Sequence, residues 1–358
     1  MAAKHGGNIQ EMSEIYQLDQ AKLLDFSANI NPLGIPQGVQ KVLKDSLGAL
    51  VHYPDLRYRS LKEAIAAFHG ISDQQVYAAN GAAEAIFMLG RVLPVNKLLL
   101  LAPTFIEYEE AFRQQNTELC YFNLEECEFK WCIADLMRTA QQQQADAICL
   151  CNPNNPTGQL VRQGELEQLL DFCQQHQIKL LVDEAFMDFT QEEDSLVSAL
   201  DDYSELYIFR SLTKMFAIPG LRLGYLLTSN PAVLARMEEL TVPWHINTFA
   251  DLAGQQALQE QAFIQESQTY IRQERAFLEK KLAAFEPVIH CYPSETNFLF
   301  FHYQGAEDLQ EQLLKQHILI RNCDSFKGLT KKYYRIAVKN RFENQALMKA
   351  LEAILWKK

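Results

Sequence analysis

The most chemically loaded stretch of the chain is Ser211-Leu212-Thr213-Lys214, followed closely by Pro219-Gly220-Leu221-Arg222-Leu223-Gly224. A lysine beside two hydroxyls, with an arginine just downstream, suits a phosphate monoester whose carrier is fixed through an imine. The hydroxyls and guanidinium hold the phosphate while the amine attacks a carbonyl. About thirty residues earlier, Leu181-Val182-Asp183-Glu184-Ala185 ends an apolar run in a carboxylate. That places Asp183 at the carboxyl edge of a sheet, where open α/β sheets bind ligands, although a helix cap has the same appearance. Cys151-Asn152-Pro153-Asn154-Asn155-Pro156-Thr157-Gly158 follows another apolar run. Its prolines and glycine fix a turn that can hold an asparagine amide inward as a donor. Asn80-Gly81-Ala82-Ala83-Glu84 opens a helix whose free backbone N–H groups can take a phosphate.

Elements that could position these groups recur between residues of about 60 and 230, where amphipathic helical stretches alternate with short apolar runs. This is the pattern of a sheet covered by helices on both faces. Strands are predicted at Lys97–Leu101, Glu118–Phe122, Ala147–Cys151, Lys179–Val182, Leu206–Phe209 and Leu223–Leu227, with helices after Gly81, Thr104, Val161 and Pro231. From Asn247 a long helical stretch is predicted towards Phe285. Shorter strands, Asn297–Phe301, Ile318–Ile320 and Tyr333–Val338, then surround a helix near Glu307–Gln316. The change of rhythm divides the chain into an arm (1–35) lying against the small domain, a large domain (36–250) and a smaller α+β domain (251–358).

Composition narrows the partners. With 33 Lys and Arg against 45 Asp and Glu, the net charge of -12 argues against a surface built to neutralise nucleic acid or anionic lipid. The longest apolar runs fall far short of the ~20 residues that span a bilayer. Eight cysteines without a CxxC pair, and a start (Met1-Ala-Ala-Lys-His-Gly-Gly) without an apolar signal core, predict a cytoplasmic protein whose thiols are mostly small buried hydrophobes.

In order and spacing together, these motifs resemble the pyridoxal-phosphate (PLP)-dependent aminotransferase-like superfamily, class I/II, of fold type I, over nearly the whole chain. The resemblance implies a large domain with a mainly parallel mixed sheet flanked by helices, plus a smaller α+β domain. It also implies PLP held as an imine on Lys214, with Asp183 at the pyridine nitrogen and Asn155 at the ring oxygen. Ser211, Thr213, Arg222 and Gly81-Ala82-Ala83 would surround the cofactor phosphate. Phe105, in Pro103-Thr104-Phe105, matches the ring that stacks on the cofactor. Tyr53, in His52-Tyr53-Pro54-Asp55, matches a tyrosine that reaches the neighbouring subunit's cofactor phosphate, which implies a homodimer. One departure stands out: typical transaminases read Asp-x-Ala-Tyr where this chain has Asp183-Glu184-Ala185-Phe186, and Phe186 cannot donate a hydrogen bond.

Within the superfamily the chain resembles threonine-phosphate decarboxylases more closely than histidinol-phosphate aminotransferases. The features are His5-Gly6-Gly7-Asn8, Asp25-Phe26-Ser27-Ala28-Asn29-Ile30-Asn31-Pro32, Ile318-Leu319-Ile320-Arg321 and Tyr333-Tyr334-Arg335-Ile336-Ala337. By this likeness His5, Asn29, Asn155, Arg321 and Arg335 contact a small phosphorylated amino acid. The expected activity is that of a carboxy-lyase that converts L-threonine O-3-phosphate to (R)-1-aminopropan-2-yl phosphate for cobalamin biosynthesis. A histidinol-phosphate or related aminotransferase is the alternative. A cofactor-binding regulator without turnover is the reading of another class; retention of Lys214, Asp183 and Arg335 speaks against it.

Overall fold

A computed structural model describes residues 6–190 and 194–356. Its strands, in chain order, are β1 (Leu24–Asp25), β2 (Val76–Ala79), β3 (Lys97–Ala102), β4 (Glu118–Asn123), β5 (Ala147–Cys151), β6 (Lys179–Asp183), β7 (Leu206–Ser211) and β8 (Gly224–Leu227). The later strands are β9 (Ile289–Cys291), β10 (Phe298–Tyr303), β11 (Ile318–Leu319), β12 (Arg321–Asn322) and β13 (Tyr333–Ala337). Seven form one sheet in the order β2-β8-β7-β6-β5-β3-β4. Pairings from β7 through to β4 are parallel, whereas β8 runs antiparallel to both β7 and β2.

The near-continuous apolar runs of β3, β5, β6 and β7 are what a parallel sheet buried on both faces requires. Successive residues alternate between two cores. Leu99, Leu101, Ile148, Leu150, Leu180 and Val182 enter the core on one face. Leu98, Leu100, Cys149, Leu181, Tyr207 and Phe209 enter that on the other. Each fully buried side chain of this kind contributes roughly 1.5 to 3 kcal/mol.

This topology collects the chemistry at one edge. The carboxyl ends of β3, β5, β6 and β7 lie on the same side because those strands are parallel. Reversal of β8 brings its first residue, Gly224, opposite both Ser211 and Ala79. The turns that follow β2, β3, β5 and β7, the end of β6, and the turn that enters β8 therefore share one rim, the general ligand-binding edge of open α/β sheets.

A four-stranded antiparallel sheet, β12-β13-β10-β9, carries the later residues, and β1 pairs in parallel with β11. The expected strand at Ile318–Ile320 is thus shortened to Ile318–Leu319, and the next two residues, Arg321–Asn322, form a separate strand in the other sheet. The expected long helix is also divided, into Thr248–Ala257 and Gln261–Leu282. Of the eight free cysteines only Cys149, Cys151, Cys173 and Cys323 are fully buried, which corrects the expectation that most would be. Among the described residues, no helix is long and apolar enough to cross a membrane.

Candidate active site

The rim encloses a pocket of about 130 Å³ whose walls include Gly81, Phe105, Asn155, Asp183, Lys214 and Arg222, with Ala82, Ala83, Ser211 and Thr213 also lining it. Lys214 lies in the single helical turn Leu212–Met215, which starts directly from the end of β7. Its Nζ donates to Thr213 Oγ1 at 2.9 Å, and that hydroxyl is 2.9 Å from Ser211 Oγ. Burial, reinforced by the Arg222 and Arg335 guanidiniums and opposed by Asp183, pulls the amine down to about 8.

Asp183 is buried at the end of β6, where Oδ1 accepts from the Ala185 N–H at 2.9 Å and Oδ2 from the Tyr108 hydroxyl at 2.5 Å. Burial raises its pKa, while the Tyr108 and Ala185 hydrogen bonds and the Lys214 and Arg210 charges oppose the shift. Its neighbour Glu184 points the other way. Glu184 accepts from Arg210 at 2.7 Å and from Ser195 at 2.7 Å, and Arg210 also meets Asp188 at 2.5 Å. This buried network anchors the strand end that aims Asp183 into the pocket.

Glycine shapes the end of the pocket beside Arg222. Gly81 precedes the helix Ala82–Val92 with φ of 88°, a left-handed value that disfavours other residues. A Cβ on Gly81 would lie 2.8 Å from Arg222 Nη2, and one on Gly224 would lie 2.4 Å from the Ala82 nitrogen. The space between the free helix N-terminus and the guanidinium is thereby kept for an anion.

A second cavity, of about 520 Å³, adjoins the first through Lys214, Asn155, Phe105 and Phe186. Arg321 and Arg335 face each other as register partners on β12 and β13, both buried, and both line this cavity with Asn29. Arg335 donates to Asn155 Oδ1 at 2.5 Å and to the Ser27 carbonyl at 2.8 Å. Its Nε has no hydrogen-bond partner, and it has no ion-pair partner among the described residues. Burial lowers Arg335 to about 10, so it remains a cation at neutral pH. Arg321 donates to Ser325 Oγ at 2.6 Å.

The amino-terminal glycines reach the same cavity. Gly7 N–H donates to Ser27 Oγ at 2.8 Å, and a Cβ on Gly6 would lie 2.2 Å from the Ser27 carbonyl oxygen. His5 lies outside the described residues. Tyr53 stands apart from its own chain's pocket, 77% exposed and stacked on Trp244 at 4.4 Å between ring centroids. Phe186 is buried edge-on to Phe298 at 5.0 Å, so an aromatic contact occupies its place rather than a hydroxyl. Tyr108 escaped sequence reasoning, although it lies three residues beyond Phe105, close to one helical turn, and its ring packs edge-on to Phe105 at 5.6 Å.

The family model for aminotransferase class I and II matches residues 21–354, nearly the whole chain. The chain belongs to that family. Threonine-phosphate decarboxylase from Salmonella typhimurium is 39% identical to it over 352 residues, covering 98% of this chain and 96% of the relative. Among solved structures, the histidinol-phosphate aminotransferase of Clostridium acetobutylicum superposes with a TM-score of 0.87 at 31% identity, covering 93% of this chain and 99% of that one. L-threonine-O-3-phosphate decarboxylase from Porphyromonas gingivalis superposes with a TM-score of 0.82 at 25% identity, over 94% and 100% of the respective chains.

For this member of the aminotransferase family the cofactor is pyridoxal 5'-phosphate. The pocket fits it on chemical grounds. A buried carboxylate calls for a cationic nitrogen, a buried amine near neutrality calls for a carbonyl, and the glycine-lined gap before Ala82–Val92 calls for a phosphate.

Proposed function

We propose that this protein decarboxylates L-threonine O-3-phosphate to (R)-1-aminopropan-2-yl phosphate, a building block for cobalamin biosynthesis. The observation that carries this reading is the buried Arg321/Arg335 pair, register partners in a cavity that opens onto Lys214. A phosphorylated amino acid presents two anions, and planar guanidiniums are the side chains suited to bind them. The relatives that bear the decarboxylase name support the same reading.

On this reading the cofactor supplies an electron sink for the substrate's α carbon. The protein decides which bond feeds it. Gripping the side-chain phosphate through Arg321 and Arg335 would leave the carboxylate unheld, so that with the cofactor bound the bond between the α carbon and the carboxylate would be the one to break, its electron pair passing to the sink as carbon dioxide leaves. Lys214, whose amine is near neutrality, then delivers a proton to the α carbon. Asp183 would keep the cofactor's cationic nitrogen charged, and Asn155, held through its Oδ1 by Arg335, would offer its amide N–H to the ring oxygen. We assign the cofactor-holding rim to the large domain (36–250), and the anion grip to the small domain (251–358) together with the arm (1–35).

Purified enzyme given phosphothreonine should release carbon dioxide with no keto acid present, leaving the amine phosphate as product. Transfer of amino groups from histidinol phosphate to 2-oxoglutarate, with no carbon dioxide from phosphothreonine, would replace this function with the aminotransferase alternative.

We further propose a homodimer with shared sites. Leu47, Leu50, Val51, Tyr53 and Leu56 form a run of exposed apolar side chains, with Tyr53 stacked on the exposed Trp244, an arrangement that supports burial against a second copy. A heterodimer of Lys214→Ala and Tyr53→Phe subunits should recover activity, because one of its two sites is then intact. Verified heterodimers that stay as inactive as the parents would count against sharing.

A further inference from the structure

Away from the cavity, the segment that joins β4 to the helix Ile133–Gln143 gathers two thiols and a carboxylate. Cys127 ends the turn Leu124–Cys127, Cys132 is the residue just before the helix, and Asp135 lies in its first turn. Their ligating atoms, two Sγ and one carboxylate oxygen, all lie within 4.8 Å of one another, and each residue is half-buried. Among the described residues this is the one such group of potential metal ligands.

We propose that Cys127, Cys132 and Asp135 bind a single zinc ion. Thiolates select soft or borderline cations, and a mixed sulfur and oxygen set of three suits tetrahedral Zn²⁺ with its fourth position left to water. Zn–S bonds of about 2.3 Å at a tetrahedral angle place two sulfurs about 3.8 Å apart. Closing on an ion therefore requires side-chain movements of only about 1 Å from the observed spread. Asp135 is already oriented, since Arg138 Nη1 donates to one of its oxygens at 2.7 Å. Such an outer contact fixes a ligand without consuming both of its oxygens.

The site would act on the segment it encloses. Between the two cysteines, Glu128 and Phe129 take consecutive left-handed conformations with φ of 52° and 59°, which non-glycine residues adopt rarely. Phe129 is buried edge-on to Tyr292, Phe300 and Tyr333, at 4.9, 5.2 and 5.6 Å. It thereby plugs the seven-stranded sheet's edge segment into the small sheet. Tyr333 also donates to Glu125 at 3.0 Å, and it lies two residues before Arg335 on β13. A cation held on both sides of Phe129 would fix this plug, and with it the small sheet that carries both arginines.

The test uses the PLP-loaded, fully reduced full-length enzyme and zinc alone. After equilibration with micromolar Zn²⁺ and gel filtration, elemental analysis should find one zinc per chain. Cys127→Ser/Cys132→Ser should lose it, and Asp135→Asn should bind at least tenfold more weakly, with the cofactor absorbance of each variant confirming an intact fold. Chelation should lower the thermal midpoint of the wild type and leave that of the double-serine variant unchanged. No retained zinc in the wild type would overturn the proposal. So would retention unchanged by the double substitution, or two missing thiols before reduction with no zinc bound afterwards, which would mark a disulfide pair.

Discussion

Replacing Lys214 with alanine is expected to remove covalent cofactor capture and to lower phosphothreonine decarboxylation at least about 10³-fold, within the range for loss of a positioned acid–base group. Borohydride treatment followed by peptide mass mapping should place the pyridoxyl label on Lys214 in the wild type and nowhere in the variant; a label on another lysine would refute the assignment. The same amine sets a pH dependence. Its pKa falls from 10.5 to about 8 through burial first, with Arg222 and Arg335 adding to the shift and Asp183 opposing it. Only the neutral amine attacks a carbonyl, so capture of PLP by cofactor-free enzyme should accelerate about tenfold per pH unit below 8 and level off above it. Between about 8 and 10.5 the unfolded lysine is protonated while the folded one is not, so cofactor-free protein gains stability from this group as pH rises through that window. A capture rate flat from pH 6 to 9 would contradict a depressed amine.

Arg321→Ala is expected to reduce kcat/KM for phosphothreonine roughly 30- to 1000-fold. That corresponds to about 2 to 4 kcal/mol for removing one member of a buried, charge-assisted contact. Cofactor absorbance should not change, since Arg321 lines the larger cavity and not the pocket around Asp183. Free threonine is expected to be a far poorer substrate, and its rate should hardly move in this variant, because no phosphate is there to lose a partner. Arg321→Lys should recover only part of the loss, a point charge being a poor replacement for a planar fork. Arg335→Ala should be more damaging and less selective, for that side chain also holds Asn155 and the Ser27 carbonyl. Equal fold losses with phosphothreonine and threonine would sink the phosphate role of Arg321.

The central strands were legible because parallel strands buried on both faces must be apolar throughout, and β3, β5, β6 and β7 read as such runs to within two residues. The lysine, the aspartate and the asparagine turn were legible for a related reason: each directly follows or ends such a run. What escaped was set by partners distant in the chain. Val76–Ala79 is too short and too rich in alanine to read as a strand, and becomes one only because Gly224–Leu227 reverses beside it. The break after Ala257 carries no proline or glycine, so nothing local announces it. Ile318–Ile320 reads as one strand, yet only Ile318–Leu319 pairs, with β1, before Arg321–Asn322 turns to β13. Tyr108 is an ordinary helix aromatic until the sheet carries Asp183 to its hydroxyl.

One short strip of backbone, bent at Ser27 and Ala28, also sets a length within the site. Phe26 N–H donates to the Leu319 carbonyl and its own carbonyl accepts from Ala337, so the strip is sewn to the small sheets on both sides. The Ser27 carbonyl then takes Arg335. Four residues on, the Asn31 N–H donates to the Lys214 carbonyl, while its side chain donates to the Met215 carbonyl and Ser267. The proposed anion grip and the amine are therefore counted off along a single stretch of backbone, which spans at most about 14 Å. Adding or deleting one residue between Ser27 and Asn31 would reset that ruler by up to about 3 Å, enough to separate the proposed substrate anchor from the lysine with every side chain of the site still in place.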